Sequence, residues 1–247
     1  MTTFDMKQAR PLSRPIDIAE KGKDASGNPI FLDRRLFMQL LAFGACRDIH
    51  AIGQAMERAG VSAVLYEDIN DPQGIGLLFF SDSADYFLDG ARPLLASEPF
   101  NSLTPKPDYT MLGRTYAIGY ESDLERVLIA RPIERICDPA NRWAIWYPLR
   151  RSGRFEALPV EEQNEILREH GGIGRAYGSS GLAQDIRLAC HGLDRNDNDF
   201  IAGLVGRDLF PLSHLVQRMR KTRQTSEYLT SLGPFFIGRV VGQYHRP

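Results

Sequence analysis

The chain has 247 residues, 43% hydrophobic and 25% charged, the balance of a globular protein that buries a core rather than of a disordered or fibrous one. Thirty lysines and arginines face 31 acidic residues, a formal net charge of −1, so no global positive field gathers nucleic acid or an anionic membrane surface. No apolar run approaches the roughly 18–20 residues of a spanning helix, and Met1 to Asp33 lacks the apolar segment of a signal peptide, which makes a cytoplasmic location the expectation.

Residues 1–33 carry Pro11, Pro15, Pro29, Gly22 and Gly27 among scattered charges and read as an extended arm suited to a neighbouring subunit. From Arg34 the pattern turns regular. Arg35–Gly44 reads as a buried strand, Arg47–Gly60 as an amphipathic helix ending at its glycine, Val61–Ile69 as a strand, and Gly74–Ser81 as another strand after the turn Asn70-Asp71-Pro72. A helix is predicted at about Ser83–Ser97, completing an N-terminal half over residues 34–98. Prolines 99, 105, 107, 132 and 139 then interrupt the periodicity, and only Thr115–Glu121 looks strand-like. Residues 99–142 are therefore assigned as a linker with partial structure.

Over residues 143–247 the order recurs. Arg142–Leu149 reads as a strand, Leu158–Gly172 as a helix with Pro159 in its first turn, and Leu182–Cys190 and Asp199–Gly206 as strands. Arg207–Thr222 reads as a helix and Pro234–Gly242 as a last strand. Two successive β-α-β-β-α-β patterns predict an α+β fold of two ferredoxin-like halves, each an antiparallel sheet with helices on one face. The uncovered sheet faces then pack on each other in a barrel-like arrangement, and the space between sheet and helices within one half can open into a pocket for a large flat ligand.

Several motifs fail on context. Gly171-Gly172-Ile173-Gly174 follows a helix rather than a strand, so it does not present a helix N-terminus to phosphate. The run Asp194 to Asn198 has calcium-loop oxygens, but Asp199 and Val205 stand where that loop needs Gly and Glu, and a hairpin turn is the better reading. Gly178-Ser179-Ser180-Gly181 is not a nucleophile elbow. Arg218, Arg220, Lys221 and Arg223 complement a helix C-terminus. Cys46, Cys137 and Cys190 are odd in number and far apart, which suggests neither disulfides nor a zinc site. Among the five histidines, His170 sits just before Gly171 at the predicted end of its helix, where capping the last carbonyls is the ordinary role.

The segment around His170 resembles the chlorite dismutase family, in particular its coproheme decarboxylase branch, the hydrogen-peroxide-dependent haem synthases. The resemblance is carried by Tyr147-Pro148-Leu149-Arg150-Arg151, Leu158 to Gln163, His170 to Tyr177, Gly192-Leu193-Asp194 with Asp199-Phe200, and Pro234 to Gly238. It spans about residues 143–240, and the N-terminal half is similar only in element order. It implies that His170 is the proximal ligand of a haem or iron coproporphyrin III iron. It also implies that Tyr147 is a redox-active tyrosine beside a propionate, and that Arg151 stands where relatives hold a propionate with lysine. Counting back from Gly192 places Asp185 at the family's distal position, with Gln184 fitting only through a gap. Strand alternation puts Arg187 on the same face as Asp185 and Gln184 on the other, so that an acid and a guanidinium can move a peroxide proton. Relatives carry a proximal glutamate, and none stands at Arg223 to Thr225.

The resemblance thus implies peroxide-dependent decarboxylation of iron coproporphyrin to haem b. The alternatives are a peroxidase-like haem enzyme using Asp185 and Arg187, or a non-catalytic haem carrier. The implied partners are porphyrin and hydrogen peroxide, without nucleic acid or a membrane span. The implied assembly is a homo-oligomer, a pentamer in relatives.

Overall fold

A computed structural model describes residues 16–245, and residues 1–15 of the expected arm lie outside them, as do Arg246 and Pro247. The rest of the arm is a hairpin of β1 (Glu20–Lys23) and β2 (Pro29–Leu32). Its turn forms because the Asp24 carboxylate accepts from the amides of Ser26 and Asn28, both at 2.8 Å, while Gly27 takes a φ of +84°.

Next come β3 (Phe37–Gly44), α1 (Ile49–Ala59), β4 (Ala63–Asp68) and β5 (Ile75–Ser81). Asp48 caps α1 through the amide of Ala51, and Gly60 ends it in the left-handed conformation. Where one helix is predicted over Ser83–Ser97, a π-helical turn, Phe87–Ala91, runs into a single α-turn, α2 (Arg92–Leu95). The same sequence of turns, Arg126–Ala130 and then α3 (Arg131–Cys137), recurs further on. In both, a proline (Pro93, Pro132) is the second residue of the α-helix, and with no N–H it cannot continue the α ladder back into the preceding turn.

Between α2 and α3, β6 (Thr104–Pro105) and β7 (Met111–Arg114) pair with β3. The strand expected at Thr115–Glu121 does not form, since β7 already ends at Arg114. The Glu121 carboxylate takes the amides of Ile118, Gly119 and Tyr120 at 2.9–3.1 Å, and Gly119 takes a φ of +91°, so those donors are withdrawn from any ladder.

The C-terminal half comprises β8 (Trp143–Arg151), α4 (Gly153–Glu156), α5 (Val160–Ser179), β9 (Gln184–Ala189), β10 (Phe200–Gly206), α6 (Leu209–Met219), α7 (Arg223–Tyr228), β11 (Leu229–Leu232) and β12 (Phe236–Tyr244). Asp194 closes the β9–β10 turn by accepting from the amides of Asn196 and Asn198, the hairpin turn read from the sequence.

Strand order is β7-β3-β5-β4 in the first half and β9-β10-β8-β12 in the second, all antiparallel. Numbered within its own half, each is the ferredoxin-like order, run in opposite directions. Register pairs β4 with β12, and Arg114 of β7 with Ala189 of β9, which closes the two sheets into a ring. The chain is the α+β fold of two ferredoxin-like halves, its fourth N-terminal strand supplied by the stretch assigned as linker.

Alternation along the strands sorts the apolar residues into an interior set and an outer set. Met38, Leu40, Val64, Tyr66, Leu78, Phe80, Trp146, Ile186, Ile201 and Phe236 fill the barrel interior. Gly203 is opposite Trp146, and a Cβ there would lie 2.4 Å from the indole, so only glycine lets that ring lie against β10. The outer faces meet the helices in two separate clusters, one per half.

Candidate functional site

The outer face of the C-terminal sheet is not closed by its helices. Between them lies a cleft of about 1380 Å³, at or above the upper size of ordinary small-molecule sites, roughly 300–1,000 Å³. In-register neighbours make its floor: Tyr147 of β8 opposite Ala202 of β10, itself opposite Arg187 of β9, and beside that row Leu204 opposite Asp185. The opposite wall is α5, with Leu215, Val216 and Met219 of α6.

Helix α5 corrects the sequence reading of His170. The helix does not stop at Gly171; it continues through Gly171, Gly172, Gly174 and Gly178 to Ser179. His170 is therefore in its interior and has no terminal carbonyls to cap. Interior glycines cost roughly 1 kcal/mol each relative to alanine, so the local signal for a helix end is real but overridden by packing. Gly171, Gly174 and Gly178, at i, i+3 and i+7, line the cleft together with His170. A Cβ on any of the three would find its nearest neighbour no closer than 3.4 Å. Sterics therefore do not demand glycine at these positions, and what its absence of a side chain leaves is a smooth helix face and an open volume.

Burial, with Arg151 next, pushes the His170 imidazole down to about 4, so at neutral pH it is the uncharged form that can ligate a metal. Its Nδ1 lies 3.2 Å from Oγ1 of Thr222. Among the described residues no group of three or more His, Cys, Asp or Glu side chains is placed to hold a metal ion, so this imidazole suits a metal that brings its other ligands with it.

Tyr147 is buried in the floor and stacked on Phe235 at 4.6 Å, and burial pushes its phenol up to about 12. Arg151, at the end of β8, has its guanidinium 4.3 Å from the Phe155 ring and 4.8 Å from Phe200. Its Nε is buried without a partner among the described residues, and its one ion pair there, to Glu156, is long at 3.5 Å. A buried donor left unmatched costs about 1–3 kcal/mol, a cost that a ligand carboxylate would remove. The amide oxygen of Gln224, also on the cleft wall, is likewise buried and unpartnered.

Asp185 and Arg187 share the cleft face and form an ion pair at 3.4 Å. Gln184 pairs with the interior residue Val205, but against the expected alternation it lines the cleft as well, because its amide turns out to the Gly178 carbonyl of α5. A partner not foreseen from the sequence joins the pair. Arg135 of α3 binds Asp185 Oδ1 at 3.1 Å and also the Asp185 carbonyl, so both carboxylate oxygens are engaged by guanidinium groups. Arg131, one turn earlier, lines the same cleft, and burial together with Arg135 lowers its pKa.

Seven arginines (131, 135, 151, 168, 175, 187 and 220) and two acids (Glu121 and Asp185) line the cleft. A chain with net charge −1 thus concentrates a formal excess of five positive charges in one place, a field that favours a ligand with several carboxylates. The sequence hid this because the arginines come from α3, β8, β9, α5 and the residue after α6.

The family model described as Chlorite dismutase matches residues 94–241. A protein of Halobacterium salinarum named "Putative heme-binding protein VNG_2021C" is 29% identical over 105 residues, 41% of this chain. That match spans only a fifth of the relative's length. Among solved structures, one titled as a novel heme-binding protein from Thermus thermophilus superposes with a TM-score of 0.65 at 20% identity, covering 85% of this chain and 92% of that one. The chlorite dismutase of Candidatus Nitrospira defluvii in complex with imidazole gives a TM-score of 0.66 at 14% identity, covering 85% and 93%. At those identities the superpositions establish the fold, and the family match rests on more than half of the sequence. The chain belongs to the chlorite dismutase family.

Proposed function

We propose that the cleft binds an iron porphyrin through His170 and that the protein catalyses peroxide-dependent decarboxylation of iron coproporphyrin propionates, forming haem b. The observation that carries this reading is the unpartnered, buried Arg151 Nε in a cleft with an excess of five positive charges, because a two-propionate ligand needs far less cationic surface than a four-propionate one. The named heme-binding relatives support the ligand class.

Bound iron porphyrin supplies the centre at which hydrogen peroxide is reduced to water. His170 offers a neutral imidazole to the metal. Arg151 pairs with a propionate and holds it still, and Tyr147, whose phenol keeps its proton at neutral pH, gives up that proton and an electron together. The resulting oxidised tyrosine takes a hydrogen atom from a neighbouring propionate side chain. Loss of CO2 and a second electron then leaves a vinyl group, and peroxide, taking both electrons, the tyrosine's proton and one proton from solvent, becomes two waters. Ala202 and Leu204, the apolar part of the floor, would limit water around a bound macrocycle.

The measurement that checks this is turnover of ferric coproporphyrin III with peroxide. Tyr147→Phe is expected to abolish CO2 release while leaving porphyrin affinity within about threefold, the effect of losing one modest hydrogen bond. Unchanged turnover would remove Tyr147 from the reaction.

A second reading, non-catalytic haem binding, is favoured by one observation: both oxygens of Asp185 are engaged by arginines, which leaves it poorly placed to carry a peroxide proton. Slow peroxide reaction and ready transfer of bound porphyrin to an acceptor protein would select it.

A further inference from the structure

We infer that Thr222 is the positioning residue that fixes His170 in a single tautomer, Nδ1–H, and holds it as a plain neutral imidazole toward iron; this rests on His170 being the porphyrin ligand.

Thr222 neglects its local role. It is the N-cap of α7, yet its side chain makes no capping bond, although threonine at an N-cap ordinarily accepts from the first turn. The first amide of α7, that of Arg223, is taken by the Glu169 carboxylate at 3.1 Å. The amide of Thr225, which a capping hydroxyl ordinarily receives, goes to the Thr222 carbonyl at 3.1 Å, so the hydroxyl is left free of the helix start. That hydroxyl is buried, with Thr222 only 1% exposed, so solvent does not serve it.

A hydroxyl has one proton to give. The Met219 carbonyl, 2.8 Å from Thr222 Oγ1, can only accept and is the nearest acceptor, with His170 Nδ1 at 3.2 Å and Thr225 Oγ1 at 3.5 Å. The proton therefore goes to Met219, and toward His170 Nδ1, 3.2 Å away, the hydroxyl oxygen acts as acceptor. Nδ1 must carry the ring proton and Nε2 the lone pair. Without Thr222 the two tautomers compete, and one of them presents a protonated nitrogen to a metal.

The identity of the acceptor has a further consequence. A carboxylate in this place would draw the Nδ1 proton toward itself and give the ring imidazolate character. A neutral hydroxyl with its own proton already committed does not, so His170 donates less electron density to iron than a carboxylate-paired histidine.

The test uses the full chain without porphyrin and with ferric haem. Nitrogen-15 NMR of histidine-labelled porphyrin-free protein is expected to show His170 protonated at Nδ1 and unprotonated at Nε2, assigned by its loss in His170→Ala. Thr222→Val is expected to yield a mixture of tautomers and a roughly tenfold weaker haem affinity, the usual scale for a lost partner of a metal-ligating histidine. Thr222→Ser is expected to restore both. In the ferrous haem-loaded protein, the iron–histidine stretching frequency of Thr222→Asp is expected to rise above that of the unsubstituted protein. A native His170 carrying its proton on Nε2, or a folded Thr222→Val with the native tautomer spectrum, would overturn the inference. Failure of His170→Ala to lower haem affinity would instead strike the ligand assignment itself, a different result read in a different experiment.

Discussion

In the N-terminal half the sheet's outer face is closed. Ile52 and Met56 of α1 pack on Leu65, Leu77 and Phe79, and the segments after β5 add Phe87 and Phe100, all buried. In the C-terminal half the same strand order carries Tyr147, Ala202, Leu204 and Arg187 under a helix whose facing positions include Gly171, Gly174 and Gly178, and there a cleft remains. One topology thus serves once as a filled support and once as a container. The difference lies in side-chain volume and helix length: α1 has 11 residues and α5 has 20. The stretch between the halves also feeds the open one, since Arg131 and Arg135 reach the cleft from α3.

If this contrast is right, opening the closed half should cost stability alone. Phe79→Ala removes a fully buried ring from the N-terminal cluster and is expected to destabilise by about 3–5 kcal/mol in denaturant titration, with the porphyrin affinity of the folded protein unchanged. A large loss of affinity there would mean the halves are coupled through the barrel. In the open half, Arg151→Leu keeps the packing against Phe155 and Phe200 but removes the guanidinium. It is expected to weaken iron coproporphyrin binding by about 10- to 100-fold, the effect of losing a charged hydrogen bond of about 1.5–3 kcal/mol, with little change in unfolding midpoint. Partly filling the cleft gives the smallest effect and the sharpest sign: Gly174→Ala is expected to stabilise the protein by up to about 1 kcal/mol through helix propensity while weakening porphyrin binding a few-fold. A variant that gains stability without losing affinity would show that the smooth helix face is not part of the site.

The strands of both halves were legible because their apolar runs and turn signals agree with the tertiary structure, as in Val61–Ile69 and Asp199–Gly206, now β4 and β10. Helix ends were less legible. Gly171-Gly172 carries the usual signal of a C-cap, and α5 continues past it because Ile173 and Tyr177 pack into the C-terminal cluster, contacts invisible in one dimension. Over residues 99–142 the prolines hide a four-residue strand, β7, and a short helix, α3, whose Arg135 engages Asp185, 50 positions further along the chain. Resemblance, rather than periodicity, brought Tyr147, Arg151, His170, Asp185 and Arg187 forward, and the fold collects all five around one cleft. Arg135 and Thr222, the latter one residue before the stretch where relatives carry a proximal carboxylate, were not legible because a lone arginine and a lone threonine carry no local pattern.

The most direct measurement of porphyrin ligation by His170 is a visible-spectrum titration of the protein and of His170→Ala with ferric coproporphyrin III and, in parallel, haem b. A saturable Soret shift is expected with both ligands, tighter for the four-propionate porphyrin, and it is expected to be lost in the variant. An equal shift in His170→Ala, or no shift in the unsubstituted protein with either porphyrin, would contradict that ligation.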